Sequence, residues 1–174
     1  GWSVSSAGDV NGDGIADLII GAKYADPNER SDAGAAYVIY GRSSGYSGID
    51  LATLASSDGF TIAGAIDGNY AGTSVSSVGD VNGDGIDDVI VGAANADPGD
   101  RAFGGAAYVV FGKTSGFGTG DFNLSTMGSA DGFRIIASST GDQLGMSVSG
   151  AGDVNNDGID DIIVGAPKAD PSGT

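Results

Sequence analysis

Three ten-residue stretches gather most of the residues of this chain that could do chemistry: GDVNGDGIAD at Gly8 to Asp17, GDVNGDGIDD at Gly79 to Asp88 and GDVNNDGIDD at Gly152 to Asp161. Counted from the first Asp of each, oxygen-bearing side chains fall at positions one, three, five and nine, with a glycine at position six. They are Asp9, Asn11, Asp13 and Asp17, then Asp80, Asn82, Asp84 and Asp88, then Asp153, Asn155, Asp157 and Asp161. Alternate residues on a tightly curled backbone point inward, and the glycine supplies the backbone angles that reverse the chain. The main-chain carbonyls of Ile15, Ile86 and Ile159, at position seven, can turn to the same centre. Every donor is a hard oxygen. That set suits Ca2+ rather than Zn2+ or copper, which favour imidazole or thiolate, and the chain has neither His nor Cys.

Three Ca2+ sites are therefore expected. Carboxylates about 4 Å apart repel by roughly 4 kcal/mol per pair at an effective dielectric near 20, so such a loop without a cation should be strained or mobile. The proposed ligands account for nine of the 23 acidic residues, and three divalent cations would take the formal charge from −16 to −10. Position four varies, with Asn156 replacing Gly12 and Gly83, a tolerable change because Asn visits left-handed conformations readily. Position eight is Ala16, Asp87 or Asp160, and this mixed occupancy marks it as solvent-facing.

The continuation of each loop decides between the motifs that share this opening. An EF-hand needs an acidic ligand at position twelve and flanking helices, and a dockerin module also enters a helix. Here position twelve is Ile20, Val91 or Val164, inside DLIIG, DVIVG and DIIVG, which are strands. The loops sit in a longer repeat: GWSVSSAGDV, GTSVSSVGDV and GMSVSGAGDV start at Gly1, Gly72 and Gly145, 71 and 73 residues apart. Four strands recur per unit, at Ser3 to Ser6, Asp17 to Gly21, Ala35 to Gly41 and Gly59 to Ala63. The second unit has them at Ser74 to Ser77, Asp88 to Gly92, Ala106 to Gly112 and Gly132 to Ile136. The third has only Ser147 to Gly150 and Asp161 to Gly165. GIDLATL, from Gly48 to Leu54, is the best helical candidate and allows a turn or two.

The expected fold is all-β, a propeller of four-stranded antiparallel blades with about two and a half present: residues 1–71, 72–144 and a partial third at 145–174. Runs such as LII, YVIY, VIV and YVVF suit sheets buried on both faces by neighbouring blades. Tyr37, Val38, Tyr40, Tyr108, Val109 and Phe111 read as core, and Phe60 and Phe133 as outer-strand residues packed between blades. Gly1 opens inside a repeat, so an excised or partial chain is expected.

SVSSxGDVNGDGIDDxIVGA followed by GAAYVVFG resembles the FG-GAP repeat of integrin α-subunit propellers and their bacterial relatives. The third copy carries Gly165-Ala166-Pro167, where the others have Gly21-Ala22-Lys23 and Gly92-Ala93-Ala94. The resemblance implies a seven-bladed propeller, with each Ca2+ loop joining the innermost strand of a blade to its second and with the serine-rich strands lining a central channel. It also implies that partners engage the face formed by the loops after the second strands, which carry Ala25-Asp26-Pro27, Ala96-Asp97-Pro98 and Ala169-Asp170-Pro171, and by the blade connections. Tyr24, Arg30, Asn95, Arg101, Phe103 and Tyr70 are the candidates there, although Asp-Pro by itself initiates turns.

A formal charge of −16 argues against nucleic acid and anionic membranes as partners, and no run approaches the roughly 18 apolar residues of a membrane span. Without His there is no Ser-His-Asp triad, and Glu29 is the single Glu, so catalysis is not expected. The reading is an extracellular or cell-surface, Ca2+-stabilised module that binds a protein, matrix or surface partner. Two alternatives stay open: a structural unit that self-associates through its incomplete blade, and a non-catalytic part of a larger secreted enzyme.

Overall fold

The structure, a computed structural model, describes residues 1–46 and 48–170. Each unit begins with a strand of small residues that hairpins through an acidic loop into an apolar strand: β1 (Ser3–Gly8) into β2 (Asp17–Ala22) in the first. β3 (Ala35–Ile39) and β4 (Gly59–Ala63) complete it, all antiparallel. The second unit repeats the scheme with β5 (Ala71–Gly79), β6 (Asp88–Ala93) and β7 (Ala106–Val110). A two-residue strand, β8 (Phe122–Asn123), then precedes its outer strand, β9 (Gly132–Ile136). The third unit contributes β10 (Ser147–Gly152) and β11 (Asp161–Gly165), a two-stranded sheet. Pro171 of the third Ala-Asp-Pro phrase lies outside the described residues.

The second strand of the complete middle unit is buried on both faces, because β5 and β7 flank it in the sheet and neighbouring units cover it. Val89, Ile90 and Val91 are among the most deeply buried side chains. The first strands stack in chain order, β1 beside β5 and β5 beside β10, the arrangement of inner strands in successive propeller blades. Close approach there is enforced by glycine: a Cβ on Gly21 would lie 2.3 Å from the Gly72 carbonyl oxygen, and one on Gly92 would lie 2.1 Å from that of Gly145. Ser3 Oγ donates to the same Gly72 carbonyl at 3.1 Å, and Ser74 Oγ donates to Gly145 at 2.9 Å.

The helical candidate at Gly48 to Leu54 reduces to one 3-10 turn, Leu51–Thr53, with the Asp50 carboxylate accepting from Ala52 N–H. The third strands end at Ile39 and Val110, two residues before the sequence pattern implies. The strand β8 is not apparent in the repeat pattern. It comes from the long connection between β7 and β9 and pairs in parallel with β4 of the preceding unit, so the first sheet has five strands and its outer edge is covered. Phe117, from the same connection, stacks on Phe60 with centroids 3.7 Å apart, and Phe122 meets Phe117 edge-on. Phe60 is consequently 3% exposed, as a residue packed between blades should be. Phe133 differs and is 41% exposed. The cover on Phe60 is supplied by the following unit, and no counterpart to it succeeds the second unit among the described residues.

Candidate metal centres

The three acidic loops are placed by the hairpins β1–β2, β5–β6 and β10–β11, and each hairpin shifts register just before its loop, at Ser6/Gly8, Ser77/Gly79 and Gly150/Gly152. Such a bulge re-aims the chain as it leaves the strand. At position six, Gly14, Gly85 and Gly158 have φ of 86°, 86° and 89°, which costs glycine little and any other residue strain.

One hydrogen-bond scheme organises all three loops. Asp9 Oδ1 accepts Asp13 N–H at 3.0 Å and Asp9 Oδ2 accepts Gly14 N–H at 2.7 Å. Asn11 Oδ1 also accepts Asp13 N–H, and Asp13 Oδ1 accepts Ile15 N–H, both at 2.9 Å. In the second copy Asp80 takes Asp84 and Gly85, Asn82 takes Asp84, and Asp84 takes Ile86. In the third, Asp153, Asn155 and Asp157 take the corresponding N–H groups of Asp157, Gly158 and Ile159. Burial pushes the Asp80 carboxyl up, but the N–H groups of Gly85, Gly83, Asp84 and Asn82 outweigh it and hold the pKa below the usual value.

The position-nine aspartates make contacts that spacing does not reveal. Asp17 Oδ2 accepts Val10 N–H at 2.9 Å and Oδ1 accepts Gly41 N–H at 2.7 Å, so one buried carboxylate ties the loop to the exit of β3. Asp88 does the same with Val81 and Gly112. Asp161 is only half-buried and holds Val154. Burial raises the Asp88 pKa to about 6, against the N–H groups of Gly112 and Val81, and the charges of Asp84 and Asp80 add to the rise. Asp17 is raised for the same reason, with Asp13 and Asp9 contributing. In the first two loops the ninth residue therefore feels the charge of the first and the fifth.

Among the described residues no group of three or more acidic side chains is close enough to enclose an ion as it stands. The donor set nevertheless fits a hard divalent cation. Each carboxylate oxygen has two lone pairs and can accept a loop N–H while offering the other, and the mutual repulsion of the loop carboxylates is what a cation would neutralise. The holding residues would be Asp9, Asn11, Asp13, the Ile15 carbonyl and Asp17, with their counterparts in the other two loops. The chemistry supplied would be charge neutralisation and cross-linking of the loop.

Position eight corrects the expectation of a solvent-facing residue. Asp87 and Asp160 are half-buried, and each carboxylate reaches back to the preceding loop: Asp87 Oδ2 accepts Asp9 N–H at 2.8 Å, and Asp160 Oδ2 accepts Asp80 N–H at 3.1 Å. Mixed Ala and Asp occupancy within one chain concealed a contact made only between successive units.

At the opposite ends of the second strands, the Asp-Pro loops behave as turns. Asp26 Oδ1 accepts Asp32 N–H at 2.7 Å and Asp97 Oδ1 accepts Phe103 N–H at 2.6 Å. Of the partner-face candidates, Arg30 and Arg101 bond to the carbonyls of Gly64 and Pro98, Asn95 is half-buried, and Phe103 is exposed. Tyr24 and Tyr70 come together edge-to-face at 5.4 Å, and Trp2, which sequence patterning does not single out, extends the row at 5.9 Å from Tyr24 with Lys23 Nζ 3.4 Å above its ring.

The family model for the FG-GAP repeat matches residues 1–39, 71–110 and 144–174, well over half of the chain. The chain belongs to the FG-GAP repeat family. The matched blocks of this FG-GAP chain include each acidic loop and the strands on either side of it. Phosphatidylinositol-glycan-specific phospholipase D of Bos taurus is 33% identical to it over 174 residues, covering 99% of the chain and 19% of the bovine protein. Integrin alpha-PS5 of Drosophila melanogaster is 28% identical over 170 residues, covering 98% and 15%, and integrin alpha-4 of Xenopus laevis 27% over 164 residues, covering 94% and 14%. The FG-GAP chain thus spans about a fifth or less of the length of these relatives. Among the described residues no helix is long and apolar enough to cross a membrane.

Proposed function

We propose that this chain is a Ca2+-binding, non-catalytic β-propeller module of an extracellular or cell-surface protein, which presents one loop face to a protein, matrix or surface partner. The observation that carries the reading is the threefold recurrence of one loop scheme, in which hard-oxygen side chains are oriented by loop N–H groups beneath a fixed hairpin. Ca2+ would hold each inner strand to the second strand of its blade, and millimolar extracellular calcium would keep even weak sites filled. The partner face would be the one bearing Tyr24, Tyr70 and Trp2, since the acidic loops lie at the other end of the second strands. The integrin relatives support a binding role, and the phospholipase relative supports a place beside catalytic parts in a longer chain.

Calorimetric titration should detect Ca2+ uptake, and a chelator should lower the melting temperature. Ligand at about 100 times its dissociation constant stabilises by about 2.7 kcal/mol per site, a readily measured shift. The absence of both the heat and the shift would remove the calcium reading.

A second reading concerns the flanks. Val4 is 68% exposed on β1 and Ile163 is 61% exposed on β11, so apolar surface is open on the first and last strands described. Further blades of a longer chain, or a second copy placed head to tail, would cover it. Light scattering distinguishes these, because a monodisperse monomer with and without Ca2+ rules out self-association.

A further inference from the structure

The loops are joined to one another through a single residue in each following unit. Besides the Asp87 carboxylate on Asp9 N–H, the Asp87 N–H donates to the Asp9 carbonyl at 3.3 Å. Asp160 repeats both bonds on Asp80, at 3.1 Å and 3.3 Å. Both backbone groups of the first residue of one loop are thus held by position eight of the next.

The seat for that carboxylate is built into the fold. Gly8 and Gly79, at φ of 74° and 68°, precede the gripped residues, and a Cβ there would fall 2.3 Å from Asp87 Oδ2 and 1.9 Å from Asp160 Oδ2. Gly152, with no following loop in the described residues, meets nothing within 4 Å. Lys113 N–H adds a further link from the second unit, donating to the Val10 carbonyl at 2.9 Å.

We propose that Asp87 and Asp160 are positioning residues that couple adjacent Ca2+ sites. The inference rests on the calcium reading of the loops. Asp87 stands between Ile86 and Asp88, two of the second loop's ligands, and its bonds end on Asp9, the first ligand of the first loop. A cation that fixes residues 86–88 also fixes the backbone of Asp9, and linkage requires the reverse effect to be equal. Asp160 relates the third loop to the second in the same way. Filling of one loop thereby raises the affinity of the next, without any ligand shared between them.

The test is a Ca2+ titration of the full 174-residue chain monitored by the amide resonances of Gly14, Gly85 and Gly158, one reporter per loop. Disabling the second loop with Asp84→Ala should raise the Ca2+ midpoint of Gly14 about fivefold or more, the lower end of typical coupling. In an Asp87→Ala background the same Asp84→Ala change should leave that midpoint within about twofold, closing a double-mutant cycle. Asp87→Asn retains an acceptor oxygen and should keep the coupling, which protects the test if Asp87→Ala folds poorly. Coupling is overturned if Gly14 ignores Asp84→Ala while all three glycines still respond to Ca2+ in the parent chain. Loss of coupling in Asp87→Asn overturns the hydrogen-bonded link in favour of charge alone. If no glycine amide responds to millimolar Ca2+, the calcium reading fails and the coupling with it.

Discussion

The carboxylate of Asp88 accepts the N–H of Gly112 at 2.8 Å, joining the end of an acidic loop to the exit of β7 by way of a fully buried side chain. Its other oxygen holds Val81 N–H at 3.0 Å. Removing it strands two backbone donors, each costing roughly 1–3 kcal/mol when buried. Asp88→Ala should therefore destabilise the metal-free protein by about 3 kcal/mol. Asp161→Ala, with only Val154 to lose and a half-exposed site, should cost about 1 kcal/mol. Urea unfolding in chelator would rank the two, and equal costs would refute the clamp.

Gly92 and Gly14 separate close approach from backbone strain. A Cβ at Gly92 would sit 2.1 Å from the Gly145 carbonyl oxygen, so Gly92→Ala must displace the segment that leads into β10. Gly14 has open space around its Cβ position and only a φ of 86° to resist substitution. Gly14→Ala should cost about 1–2 kcal/mol, and Gly92→Ala distinctly more. Thermal melts in chelator would read the difference, and a milder effect at Gly92 would contradict the described contact.

Phe60 and Phe133 occupy the same place in two successive outer strands and differ only in the cover laid over them by the next unit. Phe60→Ala removes a buried ring stacked on Phe117 and should cost about 3–5 kcal/mol, whereas the half-exposed Phe133 should cost about 1 kcal/mol. Phe117→Ala should loosen β8 as well, seen as faster amide exchange at Asn123 and Leu124.

Lys113 and Asp131 form an ion pair that lowers the Asp131 pKa, chiefly through the lysine hydrogen bond, with Gly128 N–H assisting. A depressed folded pKa means that the stabilisation is present above the unfolded value of 3.8 and disappears as pH falls through the lower folded value. Asp131→Asn should thus differ from the parent slightly at pH 7, by less than about 1 kcal/mol for a pair this exposed. The difference should shrink as pH falls below 3.8, measured by denaturant titration in chelator at each pH.

The three β1–β2-type hairpins and their acidic loops were legible in the sequence, because each is encoded by one short contiguous stretch. Alternating oxygen side chains, a turn glycine and an apolar run declare a hairpin whatever surrounds it. Glycines at fixed places in the repeat were equally visible, although the carbonyl oxygens that demand Gly21 and Gly92 were not.

Contacts between units belong to the tertiary structure alone. Asp87 reads as a surface acid until the preceding loop is brought beside it across 78 residues. Phe117 and β8 read as connection until β4 presents an open edge, and Trp2 reads as an isolated aromatic until Tyr24 and Tyr70 come alongside. Local spacing encodes the curl of a loop and the period of a strand, so both survive in a single sequence. A hydrogen bond between successive blades depends on how two sheets pack, and no short-range pattern records that angle.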